Sequence, residues 1–117
     1  MEIWGTGEVT RDFIHVSYVV DALIESVFYC GPHRRMNVGS GVGLSINRVV
    51  QDLEQVLDQG KLVVTRKPGR DADVPVNVLD ISLITQETAW RPLTRWVDGL
   101  RDTIAWMRSH ESGFHLS

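Results

Sequence analysis

The chain has 117 residues, 43% of them hydrophobic and 23% charged, with a formal net charge of −3. That is enough apolar material for one small domain with a core, and the charge balance argues against a disordered segment and against general nucleic-acid binding. No apolar run approaches the roughly 20 residues that cross a bilayer, and the start, Met1-Glu2-Ile3-Trp4-Gly5, has no basic stretch leading into an apolar one. The lone Cys30 has no partner within the chain, which suits a reducing cytoplasm.

In chain order, residues 10–16 place Phe13, Ile14 and Val16 after the turn-forming Gly7 and read as a short strand. Ser17 follows as a helix N-cap, its hydroxyl suited to accept from a first-turn amide. Val20, Leu23, Ile24, Val27 and Phe28 then recur at helical spacing as far as about Cys30, and Gly31-Pro32 ends that helix. Residues 36–38 read as another short strand and 39–43 as a loop. Ser45 caps the most regular helix, with Ile46, Val49, Val50, Leu53, Val56 and Leu57 down one face until Gly60. Leu44 and Val49 bracket its start with the spacing of a hydrophobic staple.

Residues 61–66 read as a strand, and 67–77, with two prolines and four charged residues, as an irregular loop. Asp80 is placed to cap a short helix over 81–88. Thr94 is placed to cap the last helix, which shows Val97, Leu100, Ile104 and Met107 on one face. Gly99 costs that helix about 1 kcal/mol relative to alanine, which points to close packing there. Trp90, Trp96 and Trp106 read as core anchors, and residues 109–117 as a frayed tail. The expectation is one α/β domain over 1–108, with three or four helices and about three short strands.

Two features invite chemistry and do not sustain it. The loop Gly39-Ser40-Gly41-Val42-Gly43 sits between a candidate strand and a helix, as a phosphate cradle does, but its spacing is G-x-G-x-G rather than G-x-G-x-x-G. The helix after it already has a capping serine. His15, His33, His110 and His115 show no metal-ligand spacing, and no cysteine cluster accompanies them. His15 reads as a half-buried structural residue.

Three phrases carry a family resemblance. They are Trp4-Gly5-Thr6-Gly7-Glu8-Val9-Thr10-Arg11-Asp12-Phe13-Ile14-His15-Val16, then Asn37-Val38-Gly39-Ser40-Gly41-Val42-Gly43-Leu44-Ser45-Ile46-Asn47, and then Val74-Pro75-Val76-Asn77-Val78-Leu79-Asp80-Ile81-Ser82 with Ala89-Trp90-Arg91-Pro92. Together, over about residues 2–108, they resemble the C-terminal part of the extended short-chain dehydrogenase/reductases. These are NAD-dependent nucleotide-sugar epimerases and dehydratases of the UDP-glucose 4-epimerase type.

The resemblance implies that Arg11 contacts the diphosphate of a nucleotide-sugar, where a planar guanidinium donates two parallel hydrogen bonds. Taken by itself, Arg11 reads as a surface arginine paired with Asp12 or Glu8. It likewise implies that Arg70 binds phosphate, that Asp73 accepts from a ribose hydroxyl or orients the arginine, and that Asn77 lines the same cleft. Arg66 and Lys67 would add positive charge nearby. In the family the glycine-rich 39–43 segment is a connection rather than the dinucleotide site, and Trp4 would be an edge exposed by a missing half.

There are departures from the family. Its usual V-D-D-V is Val16-Ser17-Tyr18-Val19 here, and the serine opening the final helix is Arg95. The 117 residues hold no G-x-x-G-x-x-G fingerprint and no Tyr-x-x-x-Lys pair, since Tyr18 is followed by Ala22 and Tyr29 by His33 at the fourth place. Hydride chemistry therefore has no agent within them.

The implied function is a nucleotide-sugar-binding fragment, inert alone, with NAD and the Tyr-Lys pair supplied by a separate chain. The alternative is a non-enzymatic oligomerisation or interaction module that self-associates through apolar surface. A remnant with no selected role is a third reading.

Overall fold

The structure, a computed structural model, describes residues 1–111. In chain order it contains β1 (Glu2–Trp4), β2 (Thr10–Asp12), α1 (Val16–Phe28), β3 (Gly43–Ser45), α2 (Ile46–Leu57), β4 (Thr65–Lys67), β5 (Val76–Asn77), α3 (Ser82–Glu87) and α4 (Trp96–Ser109). The α/β class and the four helices agree with the sequence. Among the described residues there are five short strands, not three. Ser109, expected in the tail, instead ends α4; the tail from residue 112 on, His115 included, lies outside the described residues.

β1 and β4 form a parallel two-stranded sheet with Ile3 opposite Arg66. β2 is the centre of a second sheet, antiparallel to β3 and parallel to β5. Arg11 thus lies opposite Leu44 on one side and Asn77 on the other. Opposed residues of a ladder project to the same face, so Arg11 and Asn77 share one face while Asp12 turns to the other.

Several boundaries differ from the sequence reading because pairing partners, not local pattern, decide strands this short. The expected strand over 61–66 forms only from Thr65, where β1 supplies a ladder; just before it, the Leu62 amide donates to the Glu54 carboxylate. Residues 36–38 form no strand; Met36 and Val38 instead pack against the core of Ala22, Ile84 and Trp90. β5 lies inside the segment expected to be irregular, paired to β2 with the Thr10 amide donating to the Pro75 carbonyl.

The caps are shifted too. His15, not Ser17, caps α1: its Nδ1 accepts from the Ser17 amide. Thr94 does not cap α4, because its hydroxyl pairs with the Tyr18 phenol. Ser45 caps α2 as expected, accepting from the Arg48 amide at 3.1 Å. Asp80 stands just before the Ile81 N-cap of α3 and accepts from the Ser82 amide; the Ser82 hydroxyl and then its amide hold the carboxyl below its ordinary value.

α2 and α4 keep their expected apolar faces inward and pack on each other. A buried carboxylate joins them: Asp52 accepts from Arg48 Nε at 2.9 Å and from Trp96 Nε1 at 2.7 Å. Gly99 is buried against His15, where an added Cβ would lie 3.3 Å from the His15 Cβ, so the close packing expected there is present. Trp90 is buried and donates its indole N–H to the Tyr18 carbonyl. Trp96 is only half-buried, against Phe13, and Trp106 is exposed, so neither is a buried core anchor.

In α1, Val20, Leu23, Ile24, Val27 and Phe28, the residues that recur at helical spacing, are all exposed. The helix is apolar on two sides, and the narrower side, with Tyr18 and Ala22, is the one that packs inward.

Gly7 adopts a φ of +83°, and an added Cβ would lie 2.1 Å from Asn47 Oδ1. Both the left-handed backbone and the collision penalise any side chain. Gly7→Ala is expected to destabilise the chain by about 1–3 kcal/mol in urea unfolding, whereas Gly60→Ala, at a similar φ in open space, is expected to cost about 1 kcal/mol.

Candidate functional site

β2 is fixed by what lies on either side of it. On one face the Asp12 carboxylate accepts from the Ser40 amide at 2.8 Å, the Ser40 hydroxyl at 2.6 Å, the Gly41 amide at 3.0 Å and the Leu79 amide at 3.3 Å. Burial pushes this carboxyl up, but the hydrogen bonds from Ser40, Gly41 and Leu79 together outweigh burial and hold it below its ordinary value. Gly39 permits the approach, since an added Cβ would sit 2.7 Å from Asp12 Oδ2.

This geometry answers the question raised by the glycine-rich loop. Its upturned amides do hold an anion, and the anion is the protein's own Asp12. A dinucleotide pyrophosphate does not fit there, because its phosphates would meet a carboxylate already occupying the donors.

On the other face, Arg11 Nη1 donates to the Val74 carbonyl at 2.7 Å and to the Thr10 carbonyl at 2.9 Å. Val74 lies between Asp73 and Pro75, and both of those line a recess of about 250 Å³ with Trp4, Gly5, Thr6, Glu8, Val9, Gly69 and Arg70. The Arg70 guanidinium lies over the Trp4 ring, 4.5 Å from its centroid. The Asp73 amide donates to the Arg70 carbonyl, which makes 70–73 a tight turn. Gly5 and Gly69 let the two walls approach, each Cα within 3.5 Å of where the other's Cβ would be.

Arg70 and Asp73, then, share one recess. Arg11 is anchored to the backbone of its wall, and Asn77 is exposed opposite Arg11 in the ladder, outside the recess lining. Arg66 and Lys67 lie outside the recess lining and are tied to other partners. Arg66 donates to the Thr6 carbonyl at 2.7 Å and to Asn47, and Lys67 pairs with Glu2 at 3.9 Å. Glu8 and Asp73 further offset Arg70. Trp4 is the residue that sequence reasoning placed only as an edge; an exposed tryptophan three residues ahead of a G-x-x-x-R phrase was the available signal.

The Oryza sativa subsp. japonica protein named probable GDP-L-fucose synthase 1 is 35% identical over 106 residues, 89% of this chain and 31% of that protein. UDP-glucose 4-epimerase of Azospirillum brasilense is 33% identical over 95% of this chain and 34% of its own length. Among solved structures, UDP-glucose 4-epimerase of Thermotoga maritima with UDP-glucose superposes with a TM-score of 0.86 at 29% identity, over 95% of this chain and 35% of that one. Over nearly its whole length the chain is similar to part of the extended short-chain dehydrogenase/reductases. No family model matches it.

The chain spans about a third of the length of the curated relatives it matches. UDP-N-acetylglucosamine 4-epimerase of Methanobrevibacter ruminantium repeats the pattern, with a TM-score of 0.83 over 93% of this chain and 34% of that one. Relatives at similar identity are named for GDP-, dTDP- and UDP-linked sugars, so the nucleobase is not a constant of this fold. No helix among the described residues is long and apolar enough to cross a membrane, and no group of metal-ligating side chains occurs among them.

The Trp4 ring positions Arg70, and a cation–π contact at an exposed site is worth about 0.5–1 kcal/mol. Trp4→Ala is expected to weaken any anion held by Arg70 by about two- to fivefold, with Trp4→Phe retaining most of the affinity. Calorimetric titration of both variants with UDP checks it.

Proposed function

We propose that this chain forms the nucleotide-sugar-holding part of an NAD-dependent epimerase or dehydratase. Arg70 and Arg11 bind the diphosphate, Asp73 accepts from a ribose hydroxyl or holds Arg70 in place, and Asn77 lines the approach. The observation that carries this reading is the recess in which Arg70 and Asp73 meet, with Arg11 fastened to the carbonyl of the residue between Asp73 and Pro75. A planar guanidinium donates two parallel hydrogen bonds to phosphate oxygens, which suits Arg70 and the remaining N–H groups of Arg11 to a diphosphate.

The chemical step needs residues outside these 117, because they hold neither the NAD fingerprint nor the Tyr-x-x-x-Lys pair. With NAD bound elsewhere in the assembly, the cofactor supplies reversible oxidation of a sugar carbon. This chain's own contribution is to hold the nucleotide end still while the sugar reacts. The exposed, unpaired Cys30 fits a reducing cytoplasmic setting.

A second reading, a non-enzymatic association module, is favoured by one observation, the solvent-facing apolar stripe of α1. Titration calorimetry with UDP, UDP-glucose and NAD separates the two. The site reading predicts binding of both diphosphate ligands but not of NAD. Arg70→Ala and Arg11→Ala are each expected to weaken UDP about tenfold or more, the scale of a lost charge-assisted hydrogen bond. Equal affinity in wild type and Arg70→Ala would remove the proposal.

A further inference from the structure

A second pocket, of about 340 Å³, opens between the start of α1, the segment leading into β3 and the first turns of α4. It shares no lining residue with the Arg70 recess, and small-molecule sites span about 300–1,000 Å³. Its walls are apolar. Phe13 and Trp96 lie with ring centroids 5.3 Å apart at an angle of 50°, and Ile14, Leu44 and Leu100 continue the lining.

Most polar groups around this pocket are already spent. Trp96 donates its indole N–H to Asp52, and Thr103 its hydroxyl to the Gly99 carbonyl. Tyr18 and Thr94 bond each other, and the Ser40 hydroxyl donates to Asp12. Two donors are left over. His15 Nδ1 accepts from the Ser17 amide, which in the neutral ring puts the proton on Nε2. That Nε2–H has no acceptor among the described residues. Arg95 commits only Nε, to Asp98 at 3.4 Å, and keeps both Nη groups uncommitted.

No aspartate or glutamate lines the pocket, although the chain carries a net charge of −3. Two lining residues, Tyr18 and Arg95, stand where the family pattern has aspartate and serine, which removes an acid and adds a base beside the same cavity. A ligand that fits must bring a flat apolar body for the two rings and acceptors for the two donors.

We propose that this pocket binds a small aromatic carboxylate, its ring against Phe13 and Trp96 and its carboxylate on Arg95 and His15. The inference does not depend on what the Arg70 recess holds, so the two fail independently.

The test adds benzoate to the isotope-labelled chain and follows amide and indole N–H shifts, with benzamide, the same shape without the charge, as the comparison. Benzoate is expected to give saturable shifts at Ile14, His15, Leu44, Gly99 and the Trp96 indole, while Gly69 to Val74 stay still. It is expected to bind about fivefold or more tighter than benzamide. Arg95→Ala removes a side chain that is 83% exposed, and is expected to erase that preference while leaving benzamide binding unchanged. His15→Asn keeps a side chain able to cap α1 and removes the Nε2–H, and is expected to weaken benzoate about threefold. Equal affinity for benzoate and benzamide would overturn the proposal, and this readout needs no variant. So would equal benzoate affinity in wild type and Arg95→Ala, or shifts that fail to saturate or that centre on the Arg70 recess.

Discussion

The structure depends on one carboxylate. Asp12 ends the central strand β2 and accepts from Ser40, Gly41 and Leu79, residues from two segments that have no strand or helix of their own at those points. A hydrogen bond to a charged group contributes about 1.5–3 kcal/mol. Asp12→Asn should therefore cost about 2–3 kcal/mol near neutral pH. Since the folded-state carboxyl lies below its ordinary value, the wild-type advantage is present above about pH 4. It fades as the pH falls through that range and the carboxylate is protonated. Urea unfolding of the two proteins between pH 7 and pH 3 shows whether the gap closes.

The same interaction explains both faces of β2. By filling the glycine-rich loop with an internal anion it closes the one place where the sequence imitates a dinucleotide cradle. By fixing Asp12 it fixes the residue before it, and alternation along the strand sends Arg11 to the opposite face, toward Val74 and the wall of the recess. The site and the decoy are thus two consequences of one strand position.

What was legible in the sequence follows the range of the forces involved. Helices α2 and α4 were readable because their apolar stripes face a partner within the chain, and the Ser45 cap because it is a contact three residues long. β1 and β5 were not, since strands of three and two residues have no periodicity and exist only through distant partners. Thr94 looked like a cap until Tyr18, 76 positions away, claimed its hydroxyl. α1 was legible as a helix but not which of its sides is covered, because hydropathy records that a surface is apolar and not which neighbour covers it. Of the candidate site, the grouping of Arg70 with Asp73 came from the family resemblance, since the charged loop by itself reads as solvated. The placement of Trp4 beneath Arg70 could not be read, because it depends on the parallel pairing of β1 with β4.

The most direct measurement is a map of backbone amide shifts as UDP is added to the isotope-labelled chain. The account predicts that the largest changes fall at Gly5 and Thr6, at Gly69 to Val74 and at Arg11, while Ser40 and Gly41, whose amides are held by Asp12, stay still. Shifts concentrated in the 39–43 loop, with the recess silent, would contradict it.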